Sequence, residues 1–461
     1  MKTILSLLSF FIILFTPLNV LMSQTQVGNT VLGSVPYEGL GEVTAINDTG
    51  TRIVVGYSRA EISGQTNTGF ARAYELNGTT WEALGQDLEG ENMSERFGFS
   101  VEMSSDGNRI AVGGFEKGKI YDLVGGTWTQ VGADIDGQIR NLRFSTDGNQ
   151  IAVGGSLSTG NVQVYELNNN VWTEKGDVFT SPARSNIAIS SDLSRIVIEY
   201  QVSNEFLLRA FDYVGGNWTQ VGDDIITPAG DQISEAFGIS GDGSRIVAAI
   251  NDDGNNTGQM KTYELNGNTW EETLDPLDIW LGQRWGAAMR MSDDGETVVL
   301  ANADDLPITD STYVAVFKAT TQMWEEVGER IDGSAHDEKV NGHVDITANG
   351  QKIIFGGEES EPGVENGFVR VFDYSVLATE DIGGIPSLQV YPNPVRATAF
   401  ISSSEPIMKV QVHNLLGQLV ATFEERNGID EISLSDLSRG MYLLSLYNAN
   451  GNVQTKKILK E

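Results

Sequence analysis

A sequence unit recurs between residues 24 and 375, and this repetition constrains the fold more than any other feature of the chain. The clearest copies each hold four short runs of alternating or β-branched apolar residues, separated by Gly, Asn and Asp. The first apolar residues after the first turn of each copy are Ile53, Ile110, Ile151, Ile196, Ile246, Val298 and Ile353. These anchors are about 41 to 57 residues apart, an interval that accommodates one small four-stranded sheet per copy.

Two turns separate the predicted strands of the intact copies. Most anchors follow Asp-Gly or Asn-Gly, as at Asp106-Gly107 and Asn349-Gly350, and these pairs tolerate the positive φ angles of a tight hairpin. Farther along, an aromatic strand is followed by a second turn and, in six copies, by a tryptophan: Trp81, Trp128, Trp172, Trp218, Trp270 and Trp324. Because six of the eight tryptophans share one repeat position, they are predicted to pack between neighbouring sheets rather than to bind carbohydrate.

The seventh copy lacks its tryptophan strand, and a matching segment stands at the other end of the repeat region. Residues 25–28 read Thr-Gln-Val-Gly, as do residues 129–132 and 219–222, which follow a tryptophan in intact copies. If this N-terminal segment supplies the last strand of the last sheet, main-chain hydrogen bonds close a ring and leave no free edge. The pattern therefore predicts an all-β fold, a seven-bladed β-propeller over residues 24–375, with six or eight blades as alternatives.

One copy carries a specific resemblance. Phe97-Gly98-Phe-Ser-Val101, followed by Ser105-Asp106-Gly107 and residues 111–114 (Ala-Val-Gly-Gly), resembles the FG-GAP repeat family of propellers, found in many bacterial surface proteins. The resemblance implies a surface interaction role and, in some blades, a Ca²⁺ loop of the Asp-x-Asp-x-Asp-Gly kind. This sequence departs from that loop pattern, so no cofactor is expected and Ca²⁺ is only a weak candidate.

The best Ca²⁺ candidate is the loop at residues 251–258, which offers several hard oxygen ligands. It lacks carboxylates at alternate positions and a closing bidentate Glu, so it is interpreted as a solvated loop at the tip of a blade. Residues 302–305 and Asp310 receive the same interpretation. No metal site is predicted.

The N-terminal segment has the order of a secretory signal peptide. Lys2 precedes an apolar run from Ile4 to Phe15, and a small residue stands at Ser23, so residues 1–23 are predicted to be removed and to leave Gln24 first. The apolar run is about a dozen residues, short of the roughly 20 that cross a bilayer, and no second such run follows. An uncleaved anchor is the alternative. Without cysteine the chain has no disulfide, thiol nucleophile or lipid attachment site.

The repeat ends near Tyr374, and residues 376–386 are predicted to form a linker before a smaller domain over residues 387–461. Its short alternating strands predict a small Ig-like β-sandwich. Its motifs resemble the type A sorting domain of the type IX secretion system of Bacteroidota, and they include Tyr391, Pro392, Asn393, Pro394, Gly417, Gly440, Tyr442 and the pair Lys456-Lys457. The resemblance implies recognition by that secretion machinery, passage through the outer membrane, cleavage in the linker, and release or attachment to the cell surface.

Charge and motif content exclude several function classes. The 30 basic and 63 acidic residues give a formal net charge of −33, which disfavours nucleic acid or anionic lipid as a partner. The spacing of His336 and His343 does not suit a zinc pair, and His413 lies far away in the sequence. No nucleophile elbow or Gly-rich phosphate loop is present. Trp280 and Trp285 fall outside the repeat: Trp280 is a weak ligand-contact candidate, and Trp285 is interpreted as a replacement for the repeat's phenylalanine.

Two functions are compatible with these observations. The favoured hypothesis is a non-enzymatic adhesion or ligand-binding module that engages an unknown protein or glycan. The alternative is a secreted polysaccharide-degrading hydrolase or lyase, which a cluster of Arg, Tyr, His and carboxylates at one channel mouth would favour. No catalytic residue is assigned, because 63 acidic residues offer too many carboxylate pairs to choose from.

Overall fold

The chain divides into two compact units, residues 1–376 and residues 377–461. The computed structural model describes residues 24–33, 38–155, 161–180, 186–202, 205–226, 232–251, 257–280, 287–302, 312–332, 338–361, 364–374, 388–391, 395–403, 405–414, 419–425, 428–435, 437–448 and 453–460. The predicted signal segment and linker lie outside these residues. Within them, no helix has the length and apolar character needed to cross a membrane.

The first unit is built from antiparallel strands. It begins with β1 (Thr25–Leu32). The first sheet contains β2 (Leu40–Ile46), β3 (Arg52–Tyr57), β4 (Phe70–Asn77), β5 (Thr80–Ala83) and β6 (Leu88–Glu89). The second contains β7 (Ser100–Met103), β8 (Arg109–Gly113), β9 (Lys117–Val124), β10 (Thr127–Gln130) and β11 (Ile135–Asp136). The third contains β12 (Asn141–Phe144), β13 (Gln150–Gly154), β14 (Val162–Asn168) and β15 (Val171–Glu174).

The remaining sheets repeat this arrangement. The fourth contains β16 (Ile187–Ile189), β17 (Arg195–Val202), β18 (Glu205–Val214) and β19 (Asn217–Ile226). The fifth contains β20 (Gln232–Ile239), β21 (Arg245–Asn251), β22 (Thr257–Asn266), β23 (Thr269–Glu272) and β24 (Leu277–Trp280). The sixth contains β25 (Ala287–Met291), β26 (Thr297–Asn302), β27 (Tyr313–Ala319) and β28 (Trp324–Asp332). The seventh contains β29 (Glu338–Ile346), β30 (Lys352–Glu361) and β31 (Val364–Asp373), joined by β1.

The N-terminal strand completes the seventh sheet, whose order is β1-β31-β30-β29. Thr25 pairs with Asp373 and Leu32 with Phe368, with a register shift between Val27 and Val31. The prediction that the N-terminal segment supplies the missing strand is confirmed. The main-chain groups of β31 are thereby paired on both sides, which protects a strand that would otherwise be an open edge.

Apolar packing between consecutive sheets forms a ring. Among the described residues, seven buried clusters lie between successive sheets, and one of them joins Ile354 and Val371 of the seventh sheet to Ile53 and Val55 of the first. The first strand of each sheet contacts its counterpart in the next, and β29 contacts β2. The predicted all-β propeller is confirmed, and its innermost strands surround a central channel.

The first turn of each repeat is held by one set of hydrogen bonds. In the second sheet, Ser104 Oγ donates to Asp106 Oδ1 at 2.7 Å, and the same carboxylate oxygen accepts from the backbone N–H of Asn108 at 2.9 Å. Gly107 has a φ of +71°, as the tight hairpin requires. The side chain of a serine, threonine or asparagine thus fixes the end of every inner strand and the start of the next.

Repeated basic residues, four arginines and one lysine, connect a sheet to the turn of the following sheet. Arg109 forms a bidentate ion pair with Asp122 on its own sheet, with distances of 2.6 and 3.0 Å, and donates to the carbonyl of Gly148 on the third sheet at 2.6 Å. The same connection to the next sheet is made by Arg52, Arg195, Arg245 and Lys352. A charged hydrogen bond therefore spans most of the junctions at this end of the ring.

The repeated tryptophans pack against the preceding sheet, as predicted. The indole N–H of Trp128 donates to the carbonyl of Leu84 at 2.7 Å, and a Cβ built on Gly85 would lie 2.7 Å from the ring. Trp81, Trp172, Trp218 and Trp270 meet a glycine of the preceding sheet in the same way. At the seventh sheet, which lacks the tryptophan, the buried ring of Tyr374 lies against Gly328.

The second unit consists of two antiparallel sheets that share one apolar core, which includes Val395, Ala399, Val410 and Leu444. Its strands are β32 (Gln389–Tyr391), β33 (Thr398–Ser402), β34 (Ile407–Asn414), β35 (Leu419–Glu424), β36 (Glu431–Ser433), β37 (Gly440–Asn448) and β38 (Val453–Lys460). One sheet has the order β32-β33-β36 and the other the order β35-β34-β37-β38. Alternation of buried and exposed residues, clearest in β33, places one face of a sheet against this core.

Candidate functional site in the central channel

The inner strands carry charged residues at a single repeat position. Two residues before the first turn residue of each sheet stand Ala45, Glu102, Arg143, Ala188, Gly238, Arg290 and Asp345. The adjacent turns have similar sequences from sheet to sheet, whereas the residue at this position ranges from glycine to arginine. The four charged side chains are only 14 to 26% exposed. We call Glu102, Arg143, Arg290 and Asp345 the channel cluster.

The channel cluster lines a cavity of about 130 Å³. Arg143 Nη1 lies 3.3 Å from Glu102 Oε2, and Arg290 Nε lies 3.8 Å from Asp345 Oδ1. Asp345 Oδ2 also accepts a hydrogen bond of 3.0 Å from the backbone N–H of Ile46 on the first sheet. In ring order, the two carboxylates therefore stand on either side of the first sheet, and one arginine lies beyond each.

The turn residues form one end of the cavity. The backbone N–H of Asp48 donates to Ser105 O at 3.0 Å, and that of Asp293 donates to Ala348 O at 2.8 Å. Ala348 in turn donates to Asp48 Oδ1 at 3.3 Å. Equivalent bonds link the turns of the third to sixth sheets. Hydrogen bonds between neighbouring turns thus border the cavity at most of the junctions and tie its lining to the scaffold.

Enclosure perturbs both carboxyl groups of the channel cluster. Loss of solvation raises the pKa of Glu102 to about 8, with Arg143 opposing and Asp345 reinforcing the shift. Loss of solvation likewise raises the pKa of Asp345 to about 6, while the N–H of Ile46 and the Arg143 cation oppose it. Both carboxyl groups therefore hold their protons to a higher pH than they would in water.

His343 lies on β29, two residues before Asp345. Loss of solvation beside the channel wall, reinforced by the Arg143 cation, lowers the pKa of His343 to about 4. Part of the His343 side chain is nevertheless exposed. The imidazole is therefore neutral at physiological pH and can accept a hydrogen bond. Burial also raises the pKa of Asp293 in the neighbouring turn. Sequence spacing gave no reason to place His343 beside this cluster.

Several sequence candidates fall elsewhere. Trp285, His336 and Asp310 lie outside the described residues, as do residues 252–256 of the candidate Ca²⁺ loop and residues 303–305. Trp280 ends β24, where it pairs with Thr257 through the main chain. Across the part of the chain that the structure describes, no group of three or more His, Asp or Glu side chains could hold a metal ion.

The predicted sorting-motif residues lie in the second unit. Tyr442 is buried on β37, and its hydroxyl donates to the carbonyl of Ser438 at 2.9 Å. Tyr391 pairs with Phe400 across β32 and β33, and both rings are exposed. Gly440 begins β37 with a φ of +155°, which favours glycine. Ser23, Pro392, Asn393, Pro394 and Gly417 lie outside the described residues, and Gln24 immediately precedes β1.

Comparison with protein families identifies the C-terminal unit. The sequence from residue 389 to residue 461 matches the family described as "Secretion system C-terminal sorting domain". These residues are a secretion system C-terminal sorting domain. The sorting domain implies export of the chain and an interaction with the secretion machinery.

The propeller also has recognisable relatives. Residues 100–235 match the family described as "Rax2 C-terminal beta propeller domain". The FG-GAP resemblance of the same region stays a prediction. Among solved structures, Kuenenia stuttgartiensis hydrazine synthase is similar with a TM-score of 0.51 and 11% identity, over 76% of this chain and 99% of that chain. Such a likeness shows a shared fold alone. No curated protein matches this sequence.

Proposed function

We propose that this protein is exported by the type IX secretion machinery and acts outside the cell as a non-enzymatic ligand-binding propeller. The channel cluster is the observation that carries the binding function. It breaks the repeat at one position, whereas the repeated turns, arginines and tryptophans all have structural partners. Charged side chains are costly to enclose, so two arginines and two carboxylates around a cavity are better explained by a ligand than by stability.

The sorting domain supports export, and the N-terminal strand supports the proposed processing site. Removal of residues 1–23 would leave Gln24 first, directly before β1. Gln24 Oε1 accepts a hydrogen bond of 2.9 Å from the backbone N–H of Glu329 on the sixth sheet. In this proposal residues 376–386 are cut after export, and the propeller is released or attached to the outer surface.

Export is tested by ending the chain at Val376 in a host with a type IX system. The shortened chain should accumulate in the periplasm, whereas the full chain should reach the medium or the cell surface, as followed by immunoblotting of each fraction. A variant with Tyr391→Ala provides a milder change within the sorting domain. Equal export of the full and shortened chains would contradict this part of the proposal.

Binding is tested with the purified full chain on glycan, matrix-protein and small-molecule panels, with and without Ca²⁺. Saturable binding that is weakened by Arg143→Met, and not by Lys261→Met on β22, would support the channel as the site. Binding that is unaffected by the channel variant would place the ligand elsewhere. No binding to any class of probe would contradict the proposed function.

One observation favours the alternative of a polysaccharide-degrading enzyme. Glu102 and Asp345 have pKa values of about 8 and about 6 in one cavity, and a protonated and an ionised carboxyl group are the partners of general acid-base catalysis. The cavity of about 130 Å³ is nevertheless well below the roughly 300–1,000 Å³ of typical ligand pockets. New reducing ends or unsaturated sugars after incubation with bound glycans would establish the enzyme instead.

A further inference from the structure

We propose that the channel cavity binds a small organic carboxylate between Arg143 and Arg290. This inference rests on the proposed binding function and adds the chemical class of the ligand. It is carried by two observations on the channel cluster, the unused hydrogen-bond donors of its arginines and the small cavity that they line, and the balance of charge supports it. Together they indicate a ligand that is small, carries negative charge and accepts hydrogen bonds.

The two arginines carry most of the unused hydrogen-bonding capacity. A guanidinium group has five N–H donors. Among the described residues, Arg143 donates only through Nη1, to Glu102 and to the carbonyl of Leu142. Arg290 likewise donates only through Nη1, to the carbonyl of Met289 at 3.0 Å. Both side chains are largely enclosed, so a ligand that offers carboxylate oxygens would satisfy donors that the protein leaves open.

In the fourth and fifth sheets, which lie between the two arginines in ring order, the same repeat position carries small residues. Following the ring from Arg143 to Arg290, the equivalent positions are Ala188 and Gly238. A Cβ at Gly238 would approach Met291 Cβ to 3.0 Å, so this wall also packs closely. Both arginines line the cavity, whose volume of about 130 Å³ suits an acid of a few carbon atoms.

Protonation gives the channel cluster a positive balance. With Glu102 protonated below a pKa of about 8, two guanidinium groups face one ionised carboxylate, Asp345. Below a pKa of about 6, Asp345 is protonated as well. A bound anion favours the protonated form of both carboxyl groups, so binding should be accompanied by proton uptake and should strengthen as the pH falls.

Two other titratable groups, Asp48 and Asp293, line the cavity, and His343 lies on the same strand as Asp345. Asp48 accepts the N–H of Ala348, and Asp293 lies in the neighbouring turn, where burial raises its pKa. Asp48 and Asp293 belong to the turns at one end of the cavity, whereas the two arginines lie on the inner strands. His343 stays neutral above a pKa of about 4. The change in charge that the test follows is that of Glu102 and Asp345.

The test is isothermal titration calorimetry of the purified full chain with sodium acetate and disodium succinate, at pH 5.5, 7 and 9. Ethylammonium chloride and glucose serve as cationic and neutral probes. A carboxylate should bind with an affinity that falls by about tenfold between pH 7 and pH 9, because Glu102 loses its proton over this interval. The heat should differ between buffers of unlike ionisation enthalpy, since protons are taken up.

Variants separate a site from a merely structural cluster. Arg143→Met and Arg290→Met should each weaken carboxylate binding by about tenfold or more, and Lys261→Met should leave it unchanged. Glu102→Gln keeps a neutral hydrogen-bonding group in place, so this variant should bind carboxylate at pH 9 as tightly as at pH 7. If an arginine variant fails to fold, Glu102→Gln still tests the inference.

The outcomes distinguish this inference from the proposed function. Saturable binding of ethylammonium or glucose in the channel without binding of either carboxylate would overturn the inference and leave the binding function intact. Carboxylate binding that is indifferent to both arginine variants and to Glu102→Gln would also overturn it. Failure of every probe class, here and on the panels, would count against the binding function itself.

Discussion

The Lys352 ammonium donates a hydrogen bond of 2.9 Å to the backbone carbonyl of Thr49, and this bond joins the seventh sheet to the first. The same junction is held by the pairing of β1 with β31 and by an apolar cluster that both sheets share. Lys352 occupies the repeat position that is arginine in four other sheets. Ring closure therefore reuses the connection that links most neighbouring sheets, with an ammonium in place of a guanidinium.

The first prediction concerns these connections. Arg109→Met removes a bidentate ion pair with Asp122 and a bond to Gly148 while retaining an apolar stem, so it should lower the free energy of unfolding by about 2 kcal/mol. Lys352→Met, which removes one bond near the surface, should cost about 1 kcal/mol or less. Chemical denaturation followed by tryptophan fluorescence measures both. An Arg109→Met protein as stable as the control Lys261→Met would contradict the assigned role.

Much of the propeller could be predicted because local turn chemistry and apolar periodicity recur in every copy. The Asp-Gly turns, the tryptophan strand and the displaced N-terminal strand all follow from this repetition. The arginine that follows four of the turns, as at Arg109, was visible in the sequence but was missed, because one of its partners belongs to another sheet. No feature of the sequence around Gly148 indicates that its carbonyl accepts a hydrogen bond from Arg109.

The channel cluster was not predicted, for a geometric reason. Glu102 and Asp345 lie 243 residues apart and meet only because the ring brings the first strand of every sheet to one axis. The signal was nevertheless present: the position two residues before the turn is one at which the aligned copies carry unlike charges. The interpretation of His343 relied on its sequence distance from His336, and that distance is uninformative about neighbours across a channel.

A second prediction concerns the glycines that meet five of the repeated tryptophans. Gly85 has a φ of +76°, and an added Cβ would lie 2.7 Å from Trp128, whereas Gly78 has a φ of +62° and open space around it. Gly78→Ala should therefore cost only the strain of the left-handed conformation, about 1 kcal/mol. Gly85→Ala should cost about 2–4 kcal/mol, since overpacking adds to that strain. Equal denaturation midpoints for the two variants would refute the close packing.

A third prediction concerns the N-terminal strand. A chain that begins at Gly33 lacks β1, leaves β31 as an open edge and deprives the Trp81 indole of the Val27 carbonyl to which it donates at 3.1 Å. Its propeller should melt at least about 5 °C lower, and light scattering should show oligomers that form through the free edge. Gln26→Ala, which removes an exposed side chain and retains the main-chain pairing, is the matched control. A monomeric truncated chain with an unchanged melting temperature would contradict ring closure by β1.

The last prediction follows from the protonation of Glu102. Its pKa is about 8 in the folded chain, against an ordinary value of 4.5, so the folded state holds a proton that the unfolded state releases. The resulting stability is complete below about pH 4.5 and is lost as the pH rises through about 8. Glu102→Gln carries no titrating group, so its melting temperature should exceed that of the unaltered protein by about 2 °C or more at pH 8.5. Near pH 4 the two proteins should melt at about the same temperature. A constant difference between them at all pH values would mean that packing of the side chain, and not its proton, determines the effect.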